Sequence, residues 1–559
     1  MFKININHQT RIIALFLITV ISYGFYNAYI PITDPVESNY VLSAITMLTH
    51  NSWISPMIYD HVWYDKPPLT YWALMICYKL FGISDFVSRI PNTLIGGASV
   101  SLMYHMVYRI KQSVPVAVTS AILLMSTLQF WYISHAVITD GFLFFFSLAI
   151  FGYAYLAFTN NDKTSMMKAY IAAAFAVLTK GPIGLLLPGL ILLVFMVLQK
   201  YIKTNKDEVS LLRNLKIAFT PLGIVLFFAI ASPWYIAMYS IHGQDFISGF
   251  LGLQNVGRAL VSEHPKFDVW YYYLIITPLA LLPWTPVVIY QLRKLDWKES
   301  FNLLGGIWFV IILLFYSIVA TKYLTYTLPA IIPCIIWGSE AIINLLFNPN
   351  LSKYCTSLVT LPFGIYTCIL GIGVAVSASD YILEYMIIVI IGALIFKIAR
   401  HYIRTYSQLT LLFLLPILAL YSATTISVTP ILTSQSGIQF TSYIENTNQP
   451  VFVYGGYYTS VVYYTKHIPT QVYLNKTDDE RWAKARNIMP TITKDEFLDQ
   501  LPNESNAIVI VPNRNIKDFE SSPAAVITKP LGKTNGATIY KVQDLSLIHI
   551  SEPTRRVVI

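Results

Sequence analysis

Apolar stretches of about twenty residues, enough to cross a hydrocarbon layer about 30 Å thick as a helix, recur from Arg11 to about residue 428. Their starts fall near Arg11, Pro91, Pro115, Thr139, Ala169, Pro182, Phe219, Trp270, Gly306, Thr325, Leu358, Ile382 and Thr410, which predicts about thirteen spans. The first has no small-residue cleavage site before the acidic loop that follows, so it reads as a retained anchor. Residues 1–430 thus form one membrane domain. Beyond Ser434 the pattern becomes polar, with short β-rich runs ("PVFVYGG", "TQVYLN", "AIVIVPN", "ATIYKV") separated by helical and turn segments such as "TKDEFLDQL". These predict a small α/β domain over 434–545. The last stretch, "SLIHISEPTRRVVI" (546–559), fits neither pattern and reads as a non-native tail.

One connector is too long to be a plain turn. In residues 31–90, "ESNYVLSAITMLTHN" has apolar residues at helical spacing (Val41, Leu42, Ile45, Leu48), and "PPLTYWALMICYKLFG" opens on a proline pair, which a helix start tolerates. Two amphipathic helices lying on the outer leaflet are expected there.

Composition agrees with the spans. The chain has 559 residues, of which 55% are hydrophobic and only 12% charged, too apolar for an ordinary soluble domain. Four cysteines, Cys77, Cys334, Cys355 and Cys368, show no paired spacing, so neither a disulfide framework nor a zinc ribbon is expected. The basic residues then set the orientation, because short cytoplasmic loops carry an excess of Lys and Arg. With the N-terminus inside, the even-numbered turns should be basic. They hold Arg109 and Lys111; Lys163 and Lys168; Lys200, Lys203, Lys206, Arg213 and Lys216; Arg293, Lys294 and Lys298; Lys353; and Lys397, Arg400 and Arg404. The net charge of +9 therefore needs no nucleic acid to explain it, and the C-terminal domain falls outside.

That orientation isolates the charges of the other face: Asp34, Glu37, Asp65 and Lys66 in the first outer loop, Asp140 at the mouth of the fourth span, Lys180 in "TKGP", Arg258, Glu263 and His264 in "GRALVSEHPKF", and Lys322 in "ATKYLTY". Ionisable groups at a bilayer boundary face a cavity or one another. Each has an ordinary alternative as well: a helix N-cap for Asp140, snorkelling for Lys66 and Lys180, and the interfacial belt for most of the 39 tyrosines.

The stretch "ITDPVESNYVLSAITMLTHNSWISPMIYDHVWYDKPPLTYW" resembles the first outer loop of the C-type-fold polyprenyl-phosphate-sugar glycosyltransferases, among them the bacterial aminoarabinose transferases of lipid A and the protein O-mannosyltransferases. The likeness continues through "VITDGFLFFF", "LTKGPIG", "RALVSEHPKFDVWYYY", "LLPWT" and "TKYLTYTLPA", in order. It implies an inverting transferase in the bacterial inner membrane, with its site and C-terminal domain extracytoplasmic. Its partners are a polyprenyl-phosphate sugar donor and a membrane-lipid or envelope acceptor, and it needs no cofactor. Inversion at an anomeric carbon needs a carboxylate to take the acceptor's proton and cations to stabilise the departing phosphate.

On that resemblance Glu37, Asp140 and Asp34 are the candidate catalytic acids. Tyr40, Lys66, Lys180, Arg258, Lys322 and Tyr326 are candidate substrate ligands, and Asp65 with His264 would hold a structural zinc. One departure matters: where relatives carry adjacent acids, this chain has Val36 before Glu37, and its nearest aspartate is Asp34 across Pro35. A transporter, flippase or polymerase of lipid-linked sugars is the competing class. A transporter should show paired repeats and charges at the bilayer midplane, neither of which is visible here.

Overall fold

Capping residues and prolines divide the apolar pattern into helices. In a computed structural model, which describes residues 7–59, 61–202, 211–348, 356–377, 379–402, 423, 425–444, 449–474 and 489–543, the chain forms two compact units. The first comprises Met1–Tyr29, Met47–Pro56 and Val62–Val428; the second comprises Ile30–Thr46, Met57–His61 and Thr429–Ile559.

The first unit is helical. Its helices include α1 (His8–Gly24), α3 (Leu69–Phe81), α4 (Asp85–Lys111), α5 (Val114–Ser126), α6 (Leu128–His135), α7 (Asp140–Asn160), α8 (Lys163–Lys180), α9 (Ile183–Tyr201), α10 (Leu211–Ala218), α11 (Pro221–Phe246), α12 (Tyr272–Ala280), α13 (Thr285–Leu292), α14 (Ser300–Ile318), α15 (Ile331–Phe347), α16 (Leu361–Ser377) and α17 (Ile382–Tyr402); of α2 (Val36–Thr49), residues up to Thr46 belong to the second unit. Helices α2 and α3 stand at the two positions where helices were expected within residues 31–90. Among the described residues six helical segments are long and apolar enough to cross a membrane, or up to eight if the bent pairs α5–α6 (66°) and α12–α13 (110°) each count as one span. Helices also stand at the starts expected near Arg11, Pro91, Ala169 and Ile382 without meeting that length and composition. Polar residues explain the case of α4, which buries Arg89, Asn92 and Thr93 against neighbouring helices. The span expected from Thr410 lies outside the described residues.

The hairpin α7–α8 sets the geometry of the site. Asn161, in a left-handed conformation, ends α7, and Asp162 caps α8 by accepting from the amides of Thr164 at 2.9 Å and Ser165 at 3.2 Å. Two antiparallel helices of 21 and 18 residues, at about 1.5 Å per residue, return the chain to the level where it started. Asp140, the first residue of α7, and Lys180, the last of α8, therefore meet at one end. Each charge also suits its helix terminus, acid at the start and base at the end. The turn that follows needs glycine: Gly181 has φ +84°, and a Cβ there would lie 2.9 Å from Phe250.

The second unit contains a sheet of β1 (Val451–Tyr454), β2 (Thr470–Tyr473), β3 (Thr491–Thr493), β4 (Ile508–Pro512), β5 (Thr528–Lys533) and β6 (Ala537–Val542) in the order β3-β2-β1-β4-β6-β5. The first four strands are parallel, and β6 runs antiparallel to both β4 and β5. Both faces are covered. Phe452, Tyr454, Val509 and Val511 pack with Phe497 and Phe519 on one side, while Val451, Val453, Ile508 and Ile510 pack with Phe440 and Val461 on the other. Such two-sided burial is what a mainly parallel sheet requires. The short helix α18 (Ser460–Thr465) follows β1, and α19 (Lys494–Gln500) follows β3 behind a capping box of Thr493 and Glu496.

Candidate active site

The loop ends of the first unit gather an alternating set of charges. Lys180 Nζ lies 2.7 Å from Asp140 Oδ1 and 4.5 Å from the centre of the Tyr326 ring. Asp65 Oδ1 receives Lys66 Nζ at 3.0 Å and Arg258 Nη1 at 3.2 Å. Arg258 Nε approaches Glu263 Oε2 at 3.3 Å, and the Tyr323 hydroxyl donates to the same oxygen at 2.8 Å. The segments carrying these groups are zipped together by Thr321 N–H to the Arg258 carbonyl (3.1 Å) and Ala320 N–H to the Ala259 carbonyl (3.0 Å). Burial by itself would raise Asp65, but the charges of Lys66, Arg258 and Lys180 hold its carboxyl below the usual range. Desolvation is the main force pulling Lys66 below an ordinary lysine; Asp65 opposes it and Arg258 adds to it.

Of the residues singled out in the sequence, the structure brings Asp65, Lys66, Asp140, Lys180, Arg258 and Tyr326 into this set. Lys322 is only 1% exposed and pairs instead with Asp268 at 2.5 Å. His264 packs against the rings of Tyr323 (5.3 Å) and Phe267 (6.5 Å). Among the described residues no three His, Cys, Asp or Glu side chains converge as metal donors. Asp65 already faces two cations, so the donor set does not fit the zinc the resemblance implied, and the chemistry below runs without a metal step. Sequence reasoning assigned no role to Glu263, Asp268 or Tyr323. The signal was there, since Glu263 and Asp268 lie within ten residues of Arg258 in one loop.

Asp34, Glu37 and Tyr40 belong to the second unit. Glu37, in the first turn of α2, accepts from the amide (3.0 Å) and hydroxyl (2.7 Å) of Thr33. Tyr40 is buried on the same helix. Asp34 is held by Ser38, Thr459 and Ser460.

Residues 13–247 match the family model described as dolichyl-phosphate-mannose-protein mannosyltransferase. An uncharacterised protein of Aquifex aeolicus is 30% identical over 324 residues, 56% of this chain and 61% of that protein. The undecaprenyl phosphate-α-4-amino-4-deoxy-L-arabinose arabinosyl transferase 1 of Proteus mirabilis is 26% identical over 341 residues, 59% of each chain. The aligned part thus spans about six tenths of these relatives' own length. The crystal structure of ArnT from Cupriavidus metallidurans bound to undecaprenyl phosphate superposes with a TM-score of 0.73 at 16% identity, covering 95% of this chain and 97% of that one. The fold is that of the C-type membrane glycosyltransferases. Within this fold the helical unit supplies the apolar spans, and the six strands of the sheet, Val451 to Val542, follow them in the chain. The apo form of the same ArnT gives a TM-score of 0.74.

Proposed function

We propose that this chain is an inverting glycosyltransferase of the inner membrane, taking an aminoarabinose- or mannose-like sugar from a polyprenyl-phosphate carrier and giving it to a lipid A, glycan or protein acceptor on the outer face. The observation that carries this reading is the cation set of Lys66, Lys180 and Arg258, gathered with carboxylates at the loop ends of a fold shared with a protein crystallised with undecaprenyl phosphate.

In the reaction an acceptor hydroxyl oxygen forms a bond to the anomeric carbon while the bond from that carbon to the phosphate oxygen breaks. The hydroxyl proton passes to a carboxylate, for which Glu37 and Asp140 are the candidates. The electron pair leaves on the polyprenyl phosphate, and ammonium groups such as Lys66 and Lys180 hold its growing charge. In the resting site their counter-ions are Asp65 and Asp140, so an arriving phosphate competes with carboxylates already in place. Tyr40 and Tyr326 supply ring faces and hydroxyls for the sugar or the acceptor.

The decisive experiment incubates the purified protein in vesicles with radiolabelled polyprenyl-phosphate sugars and candidate acceptors. Transfer that falls in Glu37→Gln supports the reading, and no transfer from any such donor overturns it. Orientation has a separate test. In a cysteine-free background, single cysteines placed at exposed Ser505 and exposed Lys163 should label from opposite sides with an impermeant thiol reagent, Ser505→Cys from outside intact cells. Labelling of both from the same side sinks the assigned topology.

A further inference from the structure

Asp34 stood among the candidate bases because Val36 occupies the place of the first family acid. Its surroundings point elsewhere. Oδ1 accepts from the Ser460 amide at 2.6 Å, the Ser38 hydroxyl at 3.0 Å and the Thr459 hydroxyl at 3.2 Å, and Oδ2 accepts from the Ser460 hydroxyl. Three donors crowd Oδ1 and one meets Oδ2, so the carboxylate is engaged by the chain's own groups. Neighbouring backbone is stitched to the same place. Asp34 N–H donates to the Gln435 carbonyl at 2.9 Å, Ser436 Oγ to the Ile32 carbonyl at 2.6 Å, and Ile32 N–H to the Tyr464 hydroxyl oxygen at 2.8 Å.

The sheet explains why this place holds an acid. The order β3-β2-β1-β4 reverses direction between β1 and β4, and open α/β sheets bind ligands beyond the carboxyl ends of the strands at such a reversal. Thr459 and Ser460 end the connection that leaves β1 there. The chain fills the region with its own groups: Asn515 Nδ2 donates to the Tyr454 and Gly455 carbonyls and Arg514 Nη2 to the Gly455 carbonyl, all at 3.0 Å, and Asp34 occupies the Thr459–Ser460 turn.

We propose that Asp34 is a positioning residue, whose carboxylate anchors the start of α2 to the Thr459–Ser460 turn of the sheet unit and thereby fixes Glu37, three residues on, for transfer. This rests on the reading of Glu37 given above. The anchor is separable from the chemistry because it can be read in the protein's motion as well as in its rate.

Burial pushes the Asp34 carboxyl up to about 6, with the hydrogen bonds of Ser460, Ser38 and Thr459 pulling the other way. Among the described residues, the titratable side chains of Tyr59 and Tyr458 feel its charge, and Arg514 acts on Tyr458. The sign follows: the seated acid holds its proton more tightly than an exposed one, so the anchored state gains on the open state as pH falls through about 6 and loses that gain as pH rises to neutrality.

Hydrogen exchange and turnover of the full-length protein in vesicles test the anchor together. Asp34→Ala and the milder Ser460→Ala should both speed exchange in 32–46 and 459–464, and each should lower kcat, roughly tenfold for Asp34→Ala, with little change in donor KM. The double variant should lose no more than the worse single, as expected for partners in one interaction. In the parent, exchange of 32–46, corrected for its intrinsic rate, should slow between pH 7 and pH 5, and Asp34→Asn should abolish that dependence. Full loss of transfer in Asp34→Asn with unchanged exchange, and Ser460→Ala at parental rates, would make Asp34 the base and overturn the proposal. Should the parent transfer no sugar at all, the exchange arm still decides the anchor, and unchanged protection in Asp34→Ala rejects it.

Discussion

Lys66→Met is expected to turn over at least roughly tenfold more slowly than the parent, in line with the few kcal/mol that a charge-stabilising donor contributes in a transition state. The substitution keeps most of the stem and removes the ammonium. It should leave the fold intact, because Asp65 retains Arg258 at 3.2 Å and no carboxylate is stranded. Lys66→Arg restores the charge with a different geometry and should recover only part of the loss. The pH profile adds an independent check. Burial first, and Arg258 after it, pull Lys66 below an ordinary lysine against the opposing charge of Asp65. The cation is present at low pH and lost as pH rises, so the parent's alkaline limb should begin earlier than an unperturbed lysine would give, and that limb should move upward in Lys66→Arg. Single-turnover rates with radiolabelled donor, alongside thermal melts, measure both effects. Parental rates in a normally folded Lys66→Met would assign Lys66 to anchoring the loop.

The fold was legible where the pattern was long or strictly alternating. Apolar runs gave the helical membrane class, and β-rich runs such as "AIVIVPN" became β4, with "TKDEFLDQL" forming α19. The sheet's edge strands were harder to see. β3 has three residues, Thr491–Thr493, too few for an alternation to register, and β5 carries Pro530 and Gly532, both unusual inside a strand, with a register shift between them. The count of spans was obscured for another reason. A helix such as α4 can bury Arg89 and Asn92 against its neighbours, so hydropathy alone does not mark it. The site was partly legible: Asp140 and Lys180 were both named from sequence and meet at 2.7 Å, because a helical hairpin returns the chain to its starting level. Pairing between distant loops was not. Lys322, a candidate phosphate ligand, donates to Asp268, 54 residues away. Nor could sequence show that Asp34 answers to Ser460, 426 positions on.

The pair Asp140–Lys180 separates structure from catalysis most sharply. Its side chains are 12% and 10% exposed, and removing one member of such a pair leaves an uncompensated charge, at a cost of about 3–5 kcal/mol. The two singles should not be equal. Asp140→Asn leaves Lys180 over the Tyr326 ring at 4.5 Å, where the cation keeps an attraction of about 0.5–2 kcal/mol. Lys180→Met leaves a carboxylate whose remaining support is the start of α7, about 0.3–2 kcal/mol. Both should melt below the parent, while Asp140→Asn combined with Lys180→Met strands no charge and should melt above either single. Transfer should behave differently. If Asp140 takes the acceptor's proton and Lys180 holds the departing phosphate, the double variant stays at least roughly tenfold slower than the parent even after its stability returns. Recovery of both stability and rate in the double variant would make the pair a helix-end ion pair only, and leave Glu37 as the remaining candidate base.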